Sequence, residues 1–398
     1  MNPRLDLLQP YPFERLRALL KVCQAPSNLK GIQLSIGEPR HAAPGFVRQA
    51  LCDHLDGLSN YPATIGREDL RQTISQWLES RFRLSGLDAA TQVIPTLGSR
   101  EALFSLAQSV LNPEEQDALV LCPNPFYQIY EGAALLAGAK PWFINADPQQ
   151  GYTLPWQTIP NAIWERVRMV YTCSPGNPTG VVMTLEEWRY LFQQSDRYGF
   201  VIAADECYSE IYSDAAQPPL GALEAAHRLG RRDFKNLVIL GSLSKRSNLP
   251  GLRSGYAAGD VDIMRRFTLY RTYHGSAMSP SVQMASMAAW QDEIHVIENR
   301  RQYREKFIAF RDILADVLPL EMPAAGFYYW AKTPIDDQAF VQKLFSEQHV
   351  TLLPGSLLAR EAHGTNPGLN HVRIALVGSI EETCEAAARI KTCLLSLK

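Results

Sequence analysis

The sequence predicts an α/β protein with a mostly parallel sheet wound on both faces and a second, smaller α+β domain. Between residues 92 and 240, short apolar runs alternate with amphipathic stretches at helical spacing. This alternation is typical of parallel strands covered by helices. The runs are apolar throughout, as expected for strands buried on both faces. The chain has 398 residues, which is more than a single core usually holds, so we expect two domains.

The elements follow from these patterns in chain order. Residues 3–28 predict an extended arm and a short helix, and residues 32–36 a short strand. Helices are expected at 46–55, 68–81, 100–111, 132–138 and 185–198. Buried strands are expected at 92–95, 118–122, 141–144, 167–173, 200–204 and 237–240. After Met278 the chain becomes rich in Ala, Arg, Glu and Gln, which predicts long helices over 281–317. Strands at 326–330, 350–353 and 371–376 and helices at 340–348 and 380–397 complete the smaller domain. The expected organisation is an arm and part of the small domain at 1–40, a large domain at 41–280 and a small domain at 281–398.

Composition narrows the possible partners. The chain has 39 Lys and Arg against 41 Asp and Glu and a formal net charge of −2, so we expect no nucleic-acid partner. No apolar run reaches membrane-spanning length and the N-terminus lacks a signal-peptide pattern, so we expect no membrane association. The seven cysteines include no Cys-x-x-Cys pair and the eight histidines show no metal spacing. These features predict free thiols, a cytoplasmic location and no metal site.

Unusual polar residues follow the carboxyl ends of the apolar runs, namely Ser99, Tyr127, Asn177, Asp205 and Lys245. Ligands in open α/β sheets bind at that edge, so we expect these residues to share one cleft. A carboxylate that ends a fully apolar strand, as Asp205 does, is costly unless it meets a cation. A lysine amine becomes a nucleophile when it is desolvated or placed near other cations.

Two of these positions also have a simpler interpretation. Ser99 is expected at a helix N-cap, where free backbone N–H groups could bind a phosphate or the serine could simply cap the helix. Lys245 and Arg253 could be two charges on a solvated turn. Together with Tyr208, however, the acid, the amide and the amine match what a protonated pyridine ring with a phenolic oxygen and an aldehyde requires.

The sequence resembles the class I/II aminotransferases, which are pyridoxal-phosphate (PLP) enzymes of the aspartate-aminotransferase fold, also called fold type I. The resemblance extends from Gly37 to Arg373. It rests on Ser174-Pro-Gly-Asn-Pro-Thr-Gly180, Asp205-x-x-Tyr208, Ser242-x-Ser-Lys245 with Arg253 eight positions on, and a late strand that carries Arg373. It implies PLP as cofactor, a mostly parallel seven-stranded sheet, amino-acid and 2-oxo-acid substrates, and a homodimer with shared active sites.

The resemblance also implies residue roles. Lys245 would bind the cofactor aldehyde and then transfer the substrate proton, Asp205 would pair with the pyridine nitrogen, and Asn177 and Tyr208 would bond the phenolic oxygen. Tyr127 would stack on the ring, or Phe126 if the register slips by one. The phosphate would be held by Ser99, the Arg100 backbone N–H, Ser242, Ser244, Arg253 and, across the dimer, Tyr61. Arg373, with the Gly37 backbone, would bind the substrate α-carboxylate.

Further motifs are similar to the proteobacterial N-succinyldiaminopimelate aminotransferases of lysine biosynthesis. They are Gly37-Glu-Pro-Arg-His41, Pro123-Asn-Pro-Phe-Tyr-Gln-Ile-Tyr130, Ser254 and Tyr273-His-Gly275. This similarity implies glutamate as amino donor and a substrate with a distal succinyl carboxylate. Arg40 is a candidate for binding that carboxylate, with a solvated loop charge as the alternative. An aspartate, aromatic or other amino-acid aminotransferase, or a β-lyase on the same fold, also fits the motifs. A regulator with a relic domain would need a DNA-binding helix-turn-helix, for which the chain has no room.

Overall fold

The computed structural model describes residues 1–397. The strands are β1 (Ile32–Gln33), β2 (Val93–Thr96), β3 (Leu119–Asn124), β4 (Lys140–Asn145), β5 (Val167–Cys173), β6 (Val201–Asp205), β7 (Leu237–Ser242), β8 (Gly255–Gly259), β9 (Tyr328–Lys332), β10 (Val350–Thr351), β11 (Leu353–Pro354) and β12 (His371–Ala375). The α-helices are α1 (Pro12–Leu20), α2 (Gly45–Asp53), α3 (Glu68–Phe82), α4 (Ser99–Val110), α5 (Ile129–Leu136), α6 (Asn161–Trp164), α7 (Leu185–Tyr198), α8 (Ala222–Arg228), α9 (Leu243–Arg246), α10 (Val261–His274), α11 (Pro280–Gln291), α12 (Ile294–Leu314), α13 (Asp337–Gln348) and α14 (Ile380–Leu395). Short 3₁₀ helices lie at Pro3–Leu7, Leu55–Ser59, Pro148–Gln150, Trp156–Thr158, Pro250–Leu252 and Gly355–Leu357.

The large domain is built on a seven-stranded sheet of order β2-β8-β7-β6-β5-β3-β4. The five adjacent strands β7, β6, β5, β3 and β4 run parallel to one another. Strand β8 is antiparallel to both of its neighbours, β2 and β7. Alternate residues enter different cores: Leu237 and Ile239 of β7 pack on one face, and Val238 and Leu240 on the other. Helices α3, α7, α8 and α11 cover the first face and α4, α5 and α10 the second. The predicted α/β class with a mostly parallel seven-stranded sheet is therefore confirmed.

The small domain contains the antiparallel sheet β11-β12-β9 and the parallel pair β1-β10. Its core is formed with residues of α12, α13 and α14, and it also includes Leu16 of α1 and Ile32 of β1. Leu16 and Ile32 therefore join the first residues of the chain to the same core as α12–α14.

Helix α11 packs with the large domain, although the predicted boundary after residue 280 assigns nearly all of it to the small domain. It packs against α2 and α3, and its Ala285, Ala289 and Trp290 belong to a core of the large domain. The first residue of α12 in the small-domain core is Tyr303. The change in composition after Met278 precedes this helix, but composition does not show which sheet a helix covers. We therefore propose a domain boundary between α11 and α12.

Candidate active site

A cavity of about 610 Å³ opens at the carboxyl end of the large sheet, where the two domains meet. The structure brings most of the predicted site residues together in its lining: Gly37, Ser99, Arg100, Tyr127, Asn177, Asp205, Tyr208, Ser242, Ser244, Lys245, Arg253 and Arg373. The sequence-based expectation of one cleft at the strand ends agrees with this arrangement. Residues from both domains contribute to it, since Gly37 and Arg373 come from the small-domain side.

Lys245 lies on the single-turn helix α9, which directly follows β7. The Ser242 side chain caps this turn by accepting a hydrogen bond from the Ser244 backbone N–H at 3.1 Å. The Lys245 Nζ donates to the Gly37 carbonyl oxygen at 2.8 Å. Burial lowers the pKa of Lys245 to about 8, and the Arg373 cation contributes in the same direction. The unprotonated amine, which is the nucleophilic form, is therefore far more populated near neutral pH than in an ordinary lysine.

The turn that carries Lys245 is anchored by its neighbour Arg246. The Arg246 guanidinium lies 5.2 Å from the Trp77 ring centroid and 4.9 Å from that of Trp290. It also donates to the Ala289 carbonyl oxygen at 2.8 Å and pairs with Glu293 at 2.5 Å. These contacts fix the backbone next to the amine.

Asp205 ends β6 in register with Cys173 of β5 and Leu240 of β7. Its carboxylate accepts hydrogen bonds from the Tyr130 hydroxyl at 2.7 Å and the Cys207 backbone N–H at 3.2 Å. Burial raises the pKa of Asp205, and these two hydrogen bonds oppose the rise. A cationic nitrogen placed against the carboxylate would favour its ionised form further.

On the side where the sequence predicts a phosphate, the cavity combines hydroxyl, guanidinium and backbone donors. The Ser242 hydroxyl donates to the Ser244 hydroxyl at 2.9 Å, and both line the cavity. Arg253 donates to the carbonyl oxygens of Pro250 at 2.8 Å and Leu97 at 3.2 Å, which orients its guanidinium. The N-terminus of α4, a helix of 12 residues, supplies free N–H groups beside it.

Ser99 is not the N-cap residue that the sequence predicts. Gly98 occupies the N-cap with φ +82°, and Ser99 is the first helical residue. The Ser99 hydroxyl instead accepts a hydrogen bond from the Cys207 thiol at 2.8 Å. A Cβ at Gly98 would lie 2.6 Å from Arg253 Nη2, so the glycine permits both the left-handed φ and the close approach of the guanidinium.

The structure distinguishes the two aromatic candidates for stacking. Phe126 is 1% exposed and packs with its ring centroid 5.0 Å from that of Phe143 in the core. Tyr127 lines the cavity, and its hydroxyl accepts a hydrogen bond from Arg100 Nε at 2.6 Å. Tyr127 is therefore the residue available to a ligand in the cavity.

Arg373 is presented by β12 and is 4% exposed. Its Nη1 donates to Asn177 Oδ1 at 3.1 Å and its Nη2 to the Ser35 carbonyl oxygen at 2.8 Å. The guanidinium lies 4.4 Å from the Tyr328 ring centroid. Among residues 1–397, its buried Nε has no hydrogen-bond partner. This unmatched cationic group is suited to a carboxylate ligand.

Two tyrosines connect this side to the middle of the cavity. The hydroxyls of Tyr208 and Tyr328 lie 2.9 Å apart. A Cβ at Gly37 would lie 1.9 Å from the Tyr328 hydroxyl oxygen, so no larger residue fits at Gly37 without moving that side chain.

Two predicted residues do not line this cavity. The Arg40 guanidinium forms an ion pair with Glu382 of α14 at 3.1 Å and is exposed. Arg40 is not among the residues that line the cavity, and its exposed ion pair with Glu382 fits the alternative of a solvated loop charge. Tyr61 is fully exposed, with 104% relative exposure. Within a single chain it therefore does not contact the phosphate side.

The sequence reasoning missed several cavity residues: Tyr11, Phe13, Glu38, Cys207, Gln128, Tyr328 and Leu358. It also missed Tyr130 as the partner of Asp205. Tyr130 lies on α5, which begins at Ile129, and no local spacing connects it with Asp205 at the end of β6. Tyr11 and Tyr328 come from segments without a polar motif, and only the packing of the domains brings them to the cavity.

A second cavity of about 800 Å³ lies between α3, α11 and residues 212–220. Two of its arginines are already paired: Arg81 with Glu210 at 2.6 Å and Arg228 with Glu224 at 2.5 Å.

Among residues 1–397, no group of three or more His, Cys, Asp or Glu side chains could hold a metal ion. No helix in the described chain is both long and apolar enough to span a bilayer. All seven cysteines are free thiols.

Comparison with known proteins agrees with this site. Residues 30–390 match the family model described as aminotransferase class I and II. A crystal structure of an aminotransferase from Neisseria meningitidis Z2491 is 47% identical, with a TM-score of 0.95 and 100% coverage of both chains. LL-diaminopimelate aminotransferase of Aquifex aeolicus (strain VF5) is 29% identical, over 99% of each chain. The structure of a probable N-succinyldiaminopimelate aminotransferase from Thermus thermophilus is 25% identical, with a TM-score of 0.85, over 96% of this chain and 100% of that one.

The chain therefore belongs to the class I and II aminotransferase family, and it has the aspartate-aminotransferase-like fold type I. Proteins of this family and fold use PLP as cofactor, and this chain is a PLP-dependent aminotransferase.

The cavity fits PLP in the chemistry of its donors. Hydroxyls, a guanidinium and a helix N-terminus lie together on one side for a phosphate, and a buried carboxylate is available for a cationic ring nitrogen. A lysine amine with a pKa of about 8 lines the same cavity for an aldehyde. Arg373 also lines the cavity, and its buried Nε has no hydrogen-bond partner among residues 1–397.

Proposed function

We propose that this chain is a PLP-dependent transaminase of diaminopimelate metabolism that leads to lysine. The proposed reaction exchanges an amino group between glutamate and a diaminopimelate-type substrate, with N-succinyl-LL-2,6-diaminopimelate as the leading candidate. The observation that supports this proposal is the set of side chains that line one cavity. It holds a reactive amine, a buried carboxylate and three arginines whose hydrogen bonds, among residues 1–397, go to uncharged partners.

The side chains have separate tasks in this reaction. PLP, when bound, supplies an electron sink that lets the substrate α-proton leave. Lys245 would hold the cofactor through its aldehyde, and its amine would serve as the base and acid that moves this proton. The Asp205 carboxylate would pair with the ring nitrogen and favour its cationic form. Tyr208 and Asn177 would donate to the phenolic oxygen, and Tyr127 would pack against the ring.

The three arginines match three anionic groups. Arg253 lies beside the serines and the α4 N-terminus and binds the phosphate. Arg373 is held between Asn177 and Ser35 and binds the substrate α-carboxylate. Arg100 is the remaining guanidinium in the cavity, and its Nε already bonds the Tyr127 hydroxyl. We propose that its other nitrogens bind a distal carboxylate, the role that the sequence suggested for Arg40.

The Arg100 assignment is tested with substrates that differ in the number of carboxylates. Because hydrogen bonds to a charged group contribute about 1.5–3 kcal/mol, Arg100→Gln should raise KM by about tenfold or more for glutamate and diaminopimelate substrates. For alanine, which has a single carboxylate, KM should stay unchanged. Arg40→Gln serves as the matched control because it removes an arginine outside the cavity. An equal rise in KM for alanine would remove Arg100 from distal recognition.

LL-diaminopimelate is the second candidate substrate, and the relative from Aquifex aeolicus supports it. Its distal end carries a free ammonium group, where the succinylated compound carries a neutral amide and a further carboxylate. Glu38 lines the cavity and could pair with that ammonium. The two substrates should be compared by kcat/KM in the unaltered enzyme and in Glu38→Gln. Preference for the succinylated substrate in both supports the leading candidate. Preference for LL-diaminopimelate that Glu38→Gln abolishes supports the second.

Transamination itself is tested without an acceptor. Glutamate alone should bleach the visible absorbance of the lysine-linked cofactor and yield about one equivalent of 2-oxoglutarate per site, because the first half-reaction needs no second substrate. Release of pyruvate and ammonia from cysteine conjugates, with no response to glutamate, would instead indicate a β-lyase.

We also propose a homodimer in which Tyr61 reaches the phosphate side of the neighbouring site. Tyr61, Leu58 and Tyr273 are 104%, 67% and 89% exposed in the single chain, which is costly for side chains of this size. Hybrid dimers of Lys245→Ala and Tyr61→Ala chains provide the test. If the sites are shared, one site of each hybrid contains both native residues, so mixing restores activity that neither variant has alone. Mixed chains that form dimers without this gain contradict the shared site, and a monomer contradicts the dimer.

A further inference from the structure

Helix α12 presents three buried polar side chains on one face. Asn299, Tyr303 and Lys306 are separated by four and three residues, which places them on the same side of the helix. None of them is more than 2% exposed. Because buried polar groups are costly without partners, the hydrogen bonds of Asn299 and Lys306 show what this face of the helix holds in place. The Tyr303 hydroxyl has no hydrogen-bond partner among residues 1–397, and Tyr303 contributes its ring.

Lys306 joins α12 to two segments that border the active-site cavity. Its Nζ lies 2.8 Å from His41 Nε2 and donates to the Gly378 carbonyl oxygen at 3.0 Å. It also lies 4.2 Å from the Tyr303 ring centroid. Burial lowers the pKa of Lys306 to about 7, and Glu382 of α14 opposes this shift. The amine keeps at least two N–H donors in either protonation state, so it can hold both partners.

The proton on His41 is assigned by its two partners. Asn299 Oδ1 lies 2.7 Å from His41 Nδ1 and can only accept, so Nδ1 carries the proton. Nε2 is then the acceptor for Lys306, and the ring is neutral. Burial and the Lys306 cation lower the pKa of His41, whereas the Asn299 hydrogen bond and Glu298 oppose this. The neutral form is therefore the one that fits both hydrogen bonds.

Asn299 completes the chain of hydrogen bonds at the turn that carries Lys245. Its Oδ1 accepts from His41 and also from Asn248 Nδ2 at 3.0 Å. Its Nδ2 donates to the backbone carbonyl oxygens of Lys245 at 3.2 Å and Arg246 at 3.3 Å. Because α9 is a single turn, these carbonyls have no partner inside the helix. Asn299 therefore supplies the C-terminal cap of the Lys245 turn.

We propose that His41 is a positioning residue for Lys245: it orients Asn299, which caps the Lys245 turn, and it is itself held by Lys306. This inference rests on the proposed role of Lys245 as the reactive amine. The network connects the residues after Gly37, whose carbonyl oxygen accepts from Lys245 Nζ, with Gly378, which follows the strand of Arg373. It thereby fixes the amine relative to both substrate-side groups, although none of its members touches the substrate.

Two substitutions at His41 test this role in the PLP-loaded enzyme. His41→Phe keeps a ring against Tyr303, whose centroid lies 4.6 Å away, but removes both hydrogen bonds. Because small displacements of a catalytic group are costly, kcat with glutamate should fall about tenfold while KM changes less than about twofold. The pH midpoint of the visible absorbance of the lysine-linked cofactor should rise, since a loosened turn admits water, which stabilises the protonated form of the linking nitrogen. His41→Asn retains a donor near the Nδ1 position and should restore most of kcat and the midpoint.

The lysines of the small domain provide a matched pair. Lys306→Met keeps the apolar stem and removes the donor to His41, so it should shift the same midpoint in the same direction. Lys391→Met removes a lysine that pairs with Asp316 at 2.7 Å, and it should leave the midpoint unchanged. Circular dichroism and cofactor content confirm that each variant is folded and loaded.

Some outcomes would overturn the proposal. A folded, loaded His41→Phe enzyme with unchanged kcat and midpoint would show that the network does not position Lys245. A rise in KM alone would indicate a substrate contact instead. Failure of the Lys245 assignment is separately visible, because Lys245→Ala would then keep its absorbance and turnover.

Discussion

The two walls of the active-site cavity are held in place by different means. On the large-domain side, Asp205 and Ser242 end β6 and β7, whose register is set by backbone hydrogen bonds to neighbouring strands. On the small-domain side, Gly37 lies in an irregular segment, and Arg373 is oriented by side-chain contacts to Asn177 and Ser35. The first wall is fixed by local sequence and sheet geometry, whereas the second depends on how the two domains meet.

This difference predicts how substitutions act. A change on the large-domain wall should remove chemistry without moving neighbouring groups, because the strands hold the rest of the wall. A change on the small-domain wall should mainly weaken substrate binding. A change at the periphery, outside both walls, should affect neither.

The largest effect is expected for Lys245→Ala on the large-domain wall. The substitution removes both the nucleophile and the proton-transfer group, so kcat should fall by at least about a thousandfold. The visible absorbance of the lysine-linked cofactor should also disappear. Lys235→Ala, at an exposed position before β7, is the matched control. Turnover that survives in Lys245→Ala would contradict the assignment of the amine.

Arg373→Gln tests the small-domain wall. Loss of a charged, bidentate partner should raise KM about a hundredfold, because hydrogen bonds to charged groups contribute about 1.5–3 kcal/mol. The rise should be similar for glutamate and for alanine, since both carry an α-carboxylate. Steady-state kinetics with both amino acids provides the measurement. A loss confined to kcat would place Arg373 in the chemistry instead of in binding.

Tyr130→Phe asks whether the Asp205 carboxylate needs its hydroxyl partner. Removing one hydrogen bond should lower kcat by about threefold to tenfold, given a contribution near 1 kcal/mol. Because that bond opposes the burial that raises the pKa of Asp205, its loss should raise this pKa further. The acidic limb of the pH–rate profile should then move to higher pH.

Tyr171→Phe is the control for this change. Its ring stacks on Tyr130 with centroids 4.5 Å apart, but its hydroxyl donates to the Leu103 carbonyl oxygen at 2.7 Å. Tyr171→Phe therefore removes an equally buried hydroxyl that makes no hydrogen bond to Asp205. An identical shift of the acidic limb in both variants would attribute the effect to packing.

The smallest effect is expected at Arg40. The Arg40–Glu382 ion pair is exposed, so Arg40→Gln should change the free energy of unfolding by less than about 1 kcal/mol. KM for the succinylated substrate should be unchanged because Arg40 does not line the cavity. Thermal denaturation and kinetics check the two statements. A selective rise in that KM would restore Arg40 as a substrate residue.

The comparison of the two walls also explains what the sequence could predict. Lys245, Asp205 and Asn177 follow apolar strands, and parallel strands bring their carboxyl ends to one edge, so sequence order alone predicted their meeting. For Arg40 the sequence left two interpretations open, and the exposed pair with Glu382 fits a solvated loop charge better than a cavity residue. Its partner there, Glu382, belongs to α14 at the far end of the chain, and no local pattern connects the two residues.

Other residues of the site and its surroundings have no sequence pattern that predicts their position. Tyr11 and Tyr328 reach the cavity only after the first residues pack with the small domain. The network of His41, Asn299 and Lys306 joins three distant segments, and no spacing in the sequence connects them. The shift of Ser99 from N-cap to first helical residue reflects Gly98, whose left-handed φ lets the helix start one residue earlier than a serine cap would.

The most direct test of the account is to reduce the PLP-loaded enzyme with borohydride, which fixes the cofactor to the amine that holds it. Peptide mapping by mass spectrometry then locates the label. The account predicts about one pyridoxyl group per chain, on the peptide that contains Lys245, and its absence from Lys245→Ala. A label on another lysine, or no stoichiometric label on Lys245, would contradict the central claim that this amine and Asp205 face the same cofactor.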